Sequence, residues 1–179
     1  ITLLYNPTHV YSKEPTLFYS LKRLMEETDE EVAIHTPYVI CNDWMYQSFA
    51  DICEENPNVT MMTNSVANNG NPFGASDYQK NKGRLLETGL KIQEYEGGVS
   101  YHGKSITIGS FNMDMRSAYL DTELMLVVDS KEVTSQLKGY MEAYEADSVK
   151  VLDEENYEIP EGVERQELTK KREQRIRLV

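Results

Sequence analysis

The sequence predicts an α/β protein with a mixed, largely parallel central sheet flanked by helices on both faces. Three observations predict it. Over the first 95 residues, short apolar runs alternate with stretches whose apolar residues recur at helical spacing. The resulting order, strand, helix, strand, helix, strand, helix, strand, suggests a largely parallel sheet with helices on both sides. A length of 179 residues with no internal repeat, 40% hydrophobic and 27% charged, suits one globular domain able to bury a sizeable core.

Each element has its own reason. Ile1–Tyr5 reads as a strand closed by Asn6-Pro7. Pro15 sits acceptably in the first turn of a helix whose apolar face is Leu17, Phe18, Leu21, Leu24 and Met25. Val32–Ile34 reads as a buried strand stopping at His35-Thr36-Pro37-Tyr38, because Pro37 cannot continue a central ladder. Asn42 or Asp43 caps a helix through Met45, Phe49, Ile52 and Cys53. Val59–Thr63 is a third strand, and Asn64–Gly74 a polar loop. A helix through Tyr78, Leu85 and Leu86 ends at Gly89, and Leu90–Tyr95 is a fourth strand. Glu123–Val128 reads as an apolar strand, and Ser130 starts a helix through Val133, Leu137 and Met141.

Composition then shifts. Met141–Glu167 holds ten acids and two bases, which reads as a solvated or partly disordered connector. Leu168–Val179 reverses sign with Lys170, Lys171, Arg172, Arg175 and Arg177 against Glu173, and reads as a charged helix. A basic stretch of this kind gains affinity for anionic lipid near a membrane surface. The expected division is therefore 1–146 as the main unit and 147–179 as acidic connector and basic tail.

The net charge of −12 argues against nonspecific nucleic-acid binding, which needs cations along the phosphate path. It constrains binding of a single phosphate group less, since that needs only a local basic pocket. Cys41 and Cys53, with no C-x-x-C spacing and no histidine cluster, argue against a zinc site or a disulfide framework and suit a cytoplasmic face. Without an apolar run near 18 residues or a signal peptide, the expectation is a soluble piece. The first residue, Ile1, leads us to expect a longer parent protein.

The chemistry is concentrated in Ser100-Tyr101-His102-Gly103-Lys104-Ser105 and the following Ile108-Gly109-Ser110-Phe111-Asn112. Side chains at i and i+2 of an extended stretch share a face, so His102 and Lys104 point together, as do Ser110 and Asn112. A histidine is a possible nucleophile or proton carrier near neutral pH. A lysine with Ser and Asn donors provides the fixed charge and directional hydrogen bonds that a phosphate accepts.

These residues resemble the catalytic motif of the phospholipase D superfamily, H-x-K-x4-D-x6-G-S-x-N. The run after it, with Arg116-Ser117 and Leu120-Asp121-Thr122-Glu123, is similar to the bacterial cardiolipin synthase branch. One departure is large. Four residues separate Lys104 from Gly109 where the family has eleven, and the motif aspartate is absent. The intact flanks lead us to expect a loop longer by seven residues in the parent protein. A real deletion would instead imply a catalytically dead domain.

The resemblance covers residues 1 to about 146 and implies a two-step phosphodiester exchange on phospholipid substrates. One histidine attacks phosphorus to give a phosphohistidine. A second histidine, from a second copy of the motif, protonates the leaving alcohol, and an incoming alcohol or water resolves the intermediate. His102 would be one of the two. Lys104 and Asn112 would hold nonbridging oxygens, Ser110 would add a donor or position the phosphate, and Glu123 would orient the imidazole. No metal or other cofactor is called for. The partner implied is a second motif-bearing half, in the same parent chain or in a homodimer, and no nucleic acid is expected. The alternative reading is a homodimeric phosphodiesterase or nuclease. Membrane association of the parent, at the cytoplasmic face, follows from the lipid substrate. His35–Tyr38 resembles a segment lining the same site at a strand end, although it reads equally as a turn with a buried aromatic. His9 has no visible partner, and Trp44 reads as packing.

Overall fold

A computed structural model describes residues 1–7, 14–28, 30–97 and 109–178. The main sheet has five strands in the order β2 (Val32–His35), β4 (Val59–Asn64), β5 (Lys91–Tyr95), β8 (Ser148–Val151) and β9 (Tyr157–Glu158). The first three run parallel, joined by the crossover helices α2 (Asp43–Glu55) and α3 (Pro72–Glu87), and β8 and β9 add antiparallel edges. This is the mixed, largely parallel sheet expected.

Strand alternation sorts side chains into two layers. Ile34, Met61 and Ile92 lie in one row and pack with Phe49 and Ile52 of α2, Leu85 of α3, and Leu17 and Phe18 of α1 (Thr16–Glu26). Met62 and Tyr95 face the opposite way, against Tyr144 of α5 (Lys131–Glu145). The helices start where the sequence offers caps. Asn42 accepts from the Met45 amide at 2.9 Å, and the Ser130 hydroxyl from that of Val133 at 3.4 Å. Beyond α3, Gly89 adopts φ +91°, a conformation that L side chains rarely adopt. Trp44 packs edge-on against Phe18 and Tyr19, as the packing reading expected.

Three elements differ from the sequence reading. The first strand, β1 (Thr2–Tyr5), does not join the main sheet; it pairs antiparallel with β7 (Leu124–Val127) in a separate ribbon. A two-residue strand, β3 (Val39–Ile40), pairs parallel with β6 (Met113–Asp114), just before the short helix α4 (Met115–Tyr119). Finally, the acidic stretch read as a solvated connector is folded. Val149 and Val151 are buried, β8 pairs with β5, and the chain runs on to α6 (Lys170–Arg177), whose Ile176 is buried. The alternation Val149-Lys150-Val151 outweighs the average charge of its surroundings.

Candidate active site

The Gly109–Asn112 run is fixed from three sides. Gly109 forms an antiparallel bridge with Met125, and a Cβ there would overlap the Leu124 carbonyl and Met125, so only glycine allows this approach. Phe111 turns into the core, its ring stacked on Phe18 at 6.3 Å. Beyond it, the Asn112 amide donates to the Ser117 hydroxyl at 3.2 Å, and the Ser117 amide donates to Asp114 Oδ1 at 2.7 Å, capping α4.

Ser110 and Glu123 meet. The Ser110 hydroxyl donates to Glu123 Oε2 and accepts from the Leu124 amide at 3.3 Å, while the Ser110 amide donates to the Leu124 carbonyl at 3.0 Å. Glu123 is only 5% exposed, and no described cation forms an ion pair with it. A buried carboxylate held by a neutral donor keeps lone pairs able to accept from a further N–H. Burial also pushes the neighbouring Asp114 carboxyl above its usual range.

Asn6, read in the sequence only as a strand stop, ties this cluster together. Its amide donates to the Glu123 carbonyl at 3.0 Å. Its side-chain NH2 donates to the carbonyls of Ser117 and Ala118, each at 2.9 Å, and its Oδ1 accepts from the Leu17 amide at 3.1 Å. The signal available was an asparagine before a proline, which sequence alone does not separate from a turn.

His35–Tyr38 divides between two neighbourhoods. Thr36 Oγ1 accepts from the Met113 amide at 3.2 Å, so this segment lies beside the Gly109–Asn112 run, and β3 continues the contact. His35 instead faces α5, with Nε2 3.9 Å from Glu145 Oε1, and burial pushes its imidazole down to about 4. Burial, then Asp114, raises the Tyr38 phenol. His102, Lys104, the loop between Lys104 and Gly109, and His9 lie outside the described residues.

A second polar cluster, not anticipated from the sequence, surrounds the end of β5. Glu94, 1% exposed, accepts from the Tyr78 hydroxyl at 2.9 Å and pairs with Lys82 at 3.3 Å and Arg165 at 3.6 Å. Glu96 accepts from Ser65 Oγ at 2.9 Å and the Gln166 amide at 3.1 Å, and Arg165 stacks on the Tyr157 ring at 3.5 Å. Burial raises the Glu96 carboxyl despite these partners. The cluster fastens the chain after β9 across the sheet.

A mixed α/β fold of this topology, with a glycine-serine-x-asparagine turn set against a buried glutamate, is phospholipase D-like. Residues 21–144 match the family described as cardiolipin synthase, PLD-like domain, and the chain belongs to that family. Cardiolipin synthase A of Erwinia tasmaniensis is 41% identical over 73 residues, covering 37% of this chain and 15% of that protein. Cardiolipin synthase A of Buchnera aphidicola from Acyrthosiphon pisum is 29% identical over 140 residues, covering 74% of this chain and 27% of that protein. The chain thus spans about a quarter or less of the curated relatives it matches. Phosphatidylserine synthase of Haemophilus influenzae superposes with a TM-score of 0.67 at 16% identity, over 88% of this chain and 41% of that one, and shares the fold.

Proposed function

We propose that this chain is one catalytic half of a phospholipid phosphatidyltransferase or phosphodiesterase working through a phosphohistidine. The observation that carries the reading is the buried Glu123 carboxylate, held by Ser110 at the foot of the Gly109–Asn112 turn and free of a described counter-ion. In this reading His102 is the nucleophile or the general acid, and Glu123 fixes its tautomer by accepting from the distal N–H. Ser110 holds the carboxylate rather than the phosphate, a refinement of its expected role. Lys104 and the Asn112 carboxamide stabilise charge as it builds on the nonbridging oxygens.

Nucleophile and general acid must stand on opposite sides of phosphorus, so one histidine cannot serve as both. The partner is a second motif-bearing half, in the same parent chain or a second copy. The unit from 1 to 146 supplies the chemistry in this proposal, and residues 147–179 support it. Among the described residues no helix is long and apolar enough to cross a membrane. Membrane association of the parent, at its cytoplasmic face, would come through the substrate surface.

The test is reconstitution with the complementary half. Combined halves should turn over phosphatidylglycerol and leave DNA intact, while this chain alone as a monomer stays inactive. His102→Asn should lower turnover by several powers of ten, and Lys104→Ala should cripple it, with general acid–base terms alone worth about 10²–10⁴-fold. Full activity from a strictly monomeric chain, shown by sedimentation at assay concentration, would refute the two-half reading.

A further inference from the structure

We propose that the cleft between the β4–α3 loop and α6 binds the phosphate of an acidic phospholipid headgroup, at a site separate from the Ser110–Glu123 cluster. This rests on the phospholipid reading above and adds a second anchoring point on different elements.

The cleft holds about 340 Å³ and is lined by Asn69, Gly70 and Pro72 on one wall and Thr169, Lys171, Arg172 and Arg175 on the other. That is within the range of small-ligand sites, which starts near 300 Å³. Three of its seven lining residues are cations and none is an acid, in a chain of net charge −12. Helical spacing explains how they converge. Ile176 is buried and fixes the roll of α6, which sets Arg172, four residues earlier, on the same row toward the loop. The Arg172 guanidinium donates to the Asn69 carbonyl and closes the cleft floor. Lys171 and Arg175 form the adjacent i,i+4 row, and no described carboxylate pairs with either. The acid of this helix, Glu173, belongs to the row beyond and is neutralised by Arg177 at 2.6 Å.

Lys171 and Arg175 therefore hold two uncompensated charges over a concave surface whose rim also carries the exposed Thr169. A phosphate satisfies both the charge and the donors. Position favours a lipid. The loop wall follows the C-terminal end of β4, the strand end where ligands collect in α/β sheets. It also adjoins Tyr38, since a Cβ on Gly74 would sit 3.2 Å from that ring and 3.6 Å from Asn69 Nδ2. A headgroup held here would keep the strand-end site at the lipid surface.

Co-sedimentation with vesicles tests it without requiring turnover. The intact chain is compared with Lys171→Glu/Arg175→Glu and with Lys80→Glu/Lys131→Glu, a control of equal net charge at exposed positions that do not line the cleft. Circular dichroism melting checks that each folds. Wild type and control should bind phosphatidylcholine vesicles carrying 30% phosphatidylglycerol, roughly, and not pure phosphatidylcholine; the cleft variant should bind about tenfold more weakly or worse. Equal weakening of both variants, or unchanged binding of the cleft variant, would overturn the proposal. Binding of inorganic phosphate without vesicle binding would reassign the cleft to a soluble phosphate. Tighter retention of a single-stranded oligonucleotide, lost in the same variant, would reassign it to nucleic acid. If vesicle binding behaves as expected but the reconstituted halves turn over no lipid, the catalytic reading fails and the cleft stands.

Discussion

Glu123 and Glu94 are both almost fully buried, and they are held in opposite ways. Glu94 is surrounded by Lys82, Arg165 and the Tyr78 hydroxyl. Among the described residues, Glu123 has the Ser110 hydroxyl and no cation. A buried carboxylate with two counter-ions is spoken for, because its desolvation is offset by charges that cannot leave without exposing others. A buried carboxylate with neutral donors keeps lone pairs for a group that comes and goes. Burial alone does not separate the two acids; the charge of their partners does, and it is what recommends Glu123 for the proposed role.

Two isosteric substitutions separate the two carboxylates most strongly. Glu123→Gln retains an oxygen that accepts from Ser110, so denaturant unfolding should move by about 1 kcal/mol. Turnover of the reconstituted enzyme should fall by about 10²–10⁴-fold, because the amide no longer stabilises a charged imidazole. Glu94→Gln should invert this profile. It leaves the buried Lys82 without its counter-charge, while Arg165 keeps Glu96 at 3.5 Å, at a cost of about 3–5 kcal/mol in urea unfolding. Activity per folded molecule should barely change. Equal losses of activity in both variants would erase the distinction drawn here.

How much of this was legible in the sequence depends on the kind of signal. Helices α1, α2 and α5 announced themselves by apolar spacing and by caps such as Asn42 and Ser130, since these are local interactions. The Ser110, Asn112 and Glu123 positions were legible as a motif, but the contact from Ser110 to Glu123 was not, because strand pairing closes it across thirteen residues. Lys82 and Glu94 were not singled out, because nothing local marks a lysine whose partner is on another element. β3 and β6 have two residues each, too short for any period, and exist because Thr36 and Phe111 fix their neighbours. β8 was hidden by averaging, its two buried valines lost in acidic surroundings. The placement of β1 depended on a partner some 120 residues away.

His35 falls between the two carboxylates: an ionisable side chain, buried, with an acid near but not in hydrogen-bond contact. Burial lowers its pKa from 6.5 to about 4, so the unfolded chain takes up the proton first. The stabilisation is then complete above about pH 6.5 and is lost as pH falls toward 4. Between pH 8 and pH 5 the loss from this residue should be about 2 kcal/mol, less whatever Glu145 returns by attracting the imidazolium. His35→Leu should flatten the urea midpoint over that range relative to wild type. An unchanged slope would show that the imidazole takes up its proton in the native state as readily as in the unfolded chain.

The smallest effect concerns how tightly the turn must be held. Ser117 is buried, and its hydroxyl accepts the Asn112 amide while its own amide caps on Asp114. Ser117→Ala removes one hydrogen-bond acceptor and leaves the cap intact, since the cap uses the main chain. The expected stability cost is about 1 kcal/mol, the usual net value of one such bond plus part of the desolvation of the orphaned amide. If Asn112 only packs, activity should follow the folded fraction and otherwise stay constant. If its carboxamide holds a nonbridging oxygen, a turn loosened by a fraction of an ångström should lower kcat by several-fold more than folding explains, with KM little changed. Ser117→Thr keeps the acceptor and should restore kcat before it restores stability, because the added methyl has little room in a site 2% exposed. Parallel loss and recovery of both quantities would instead make Ser117 a packing residue and remove the turn's rigidity from the account of catalysis.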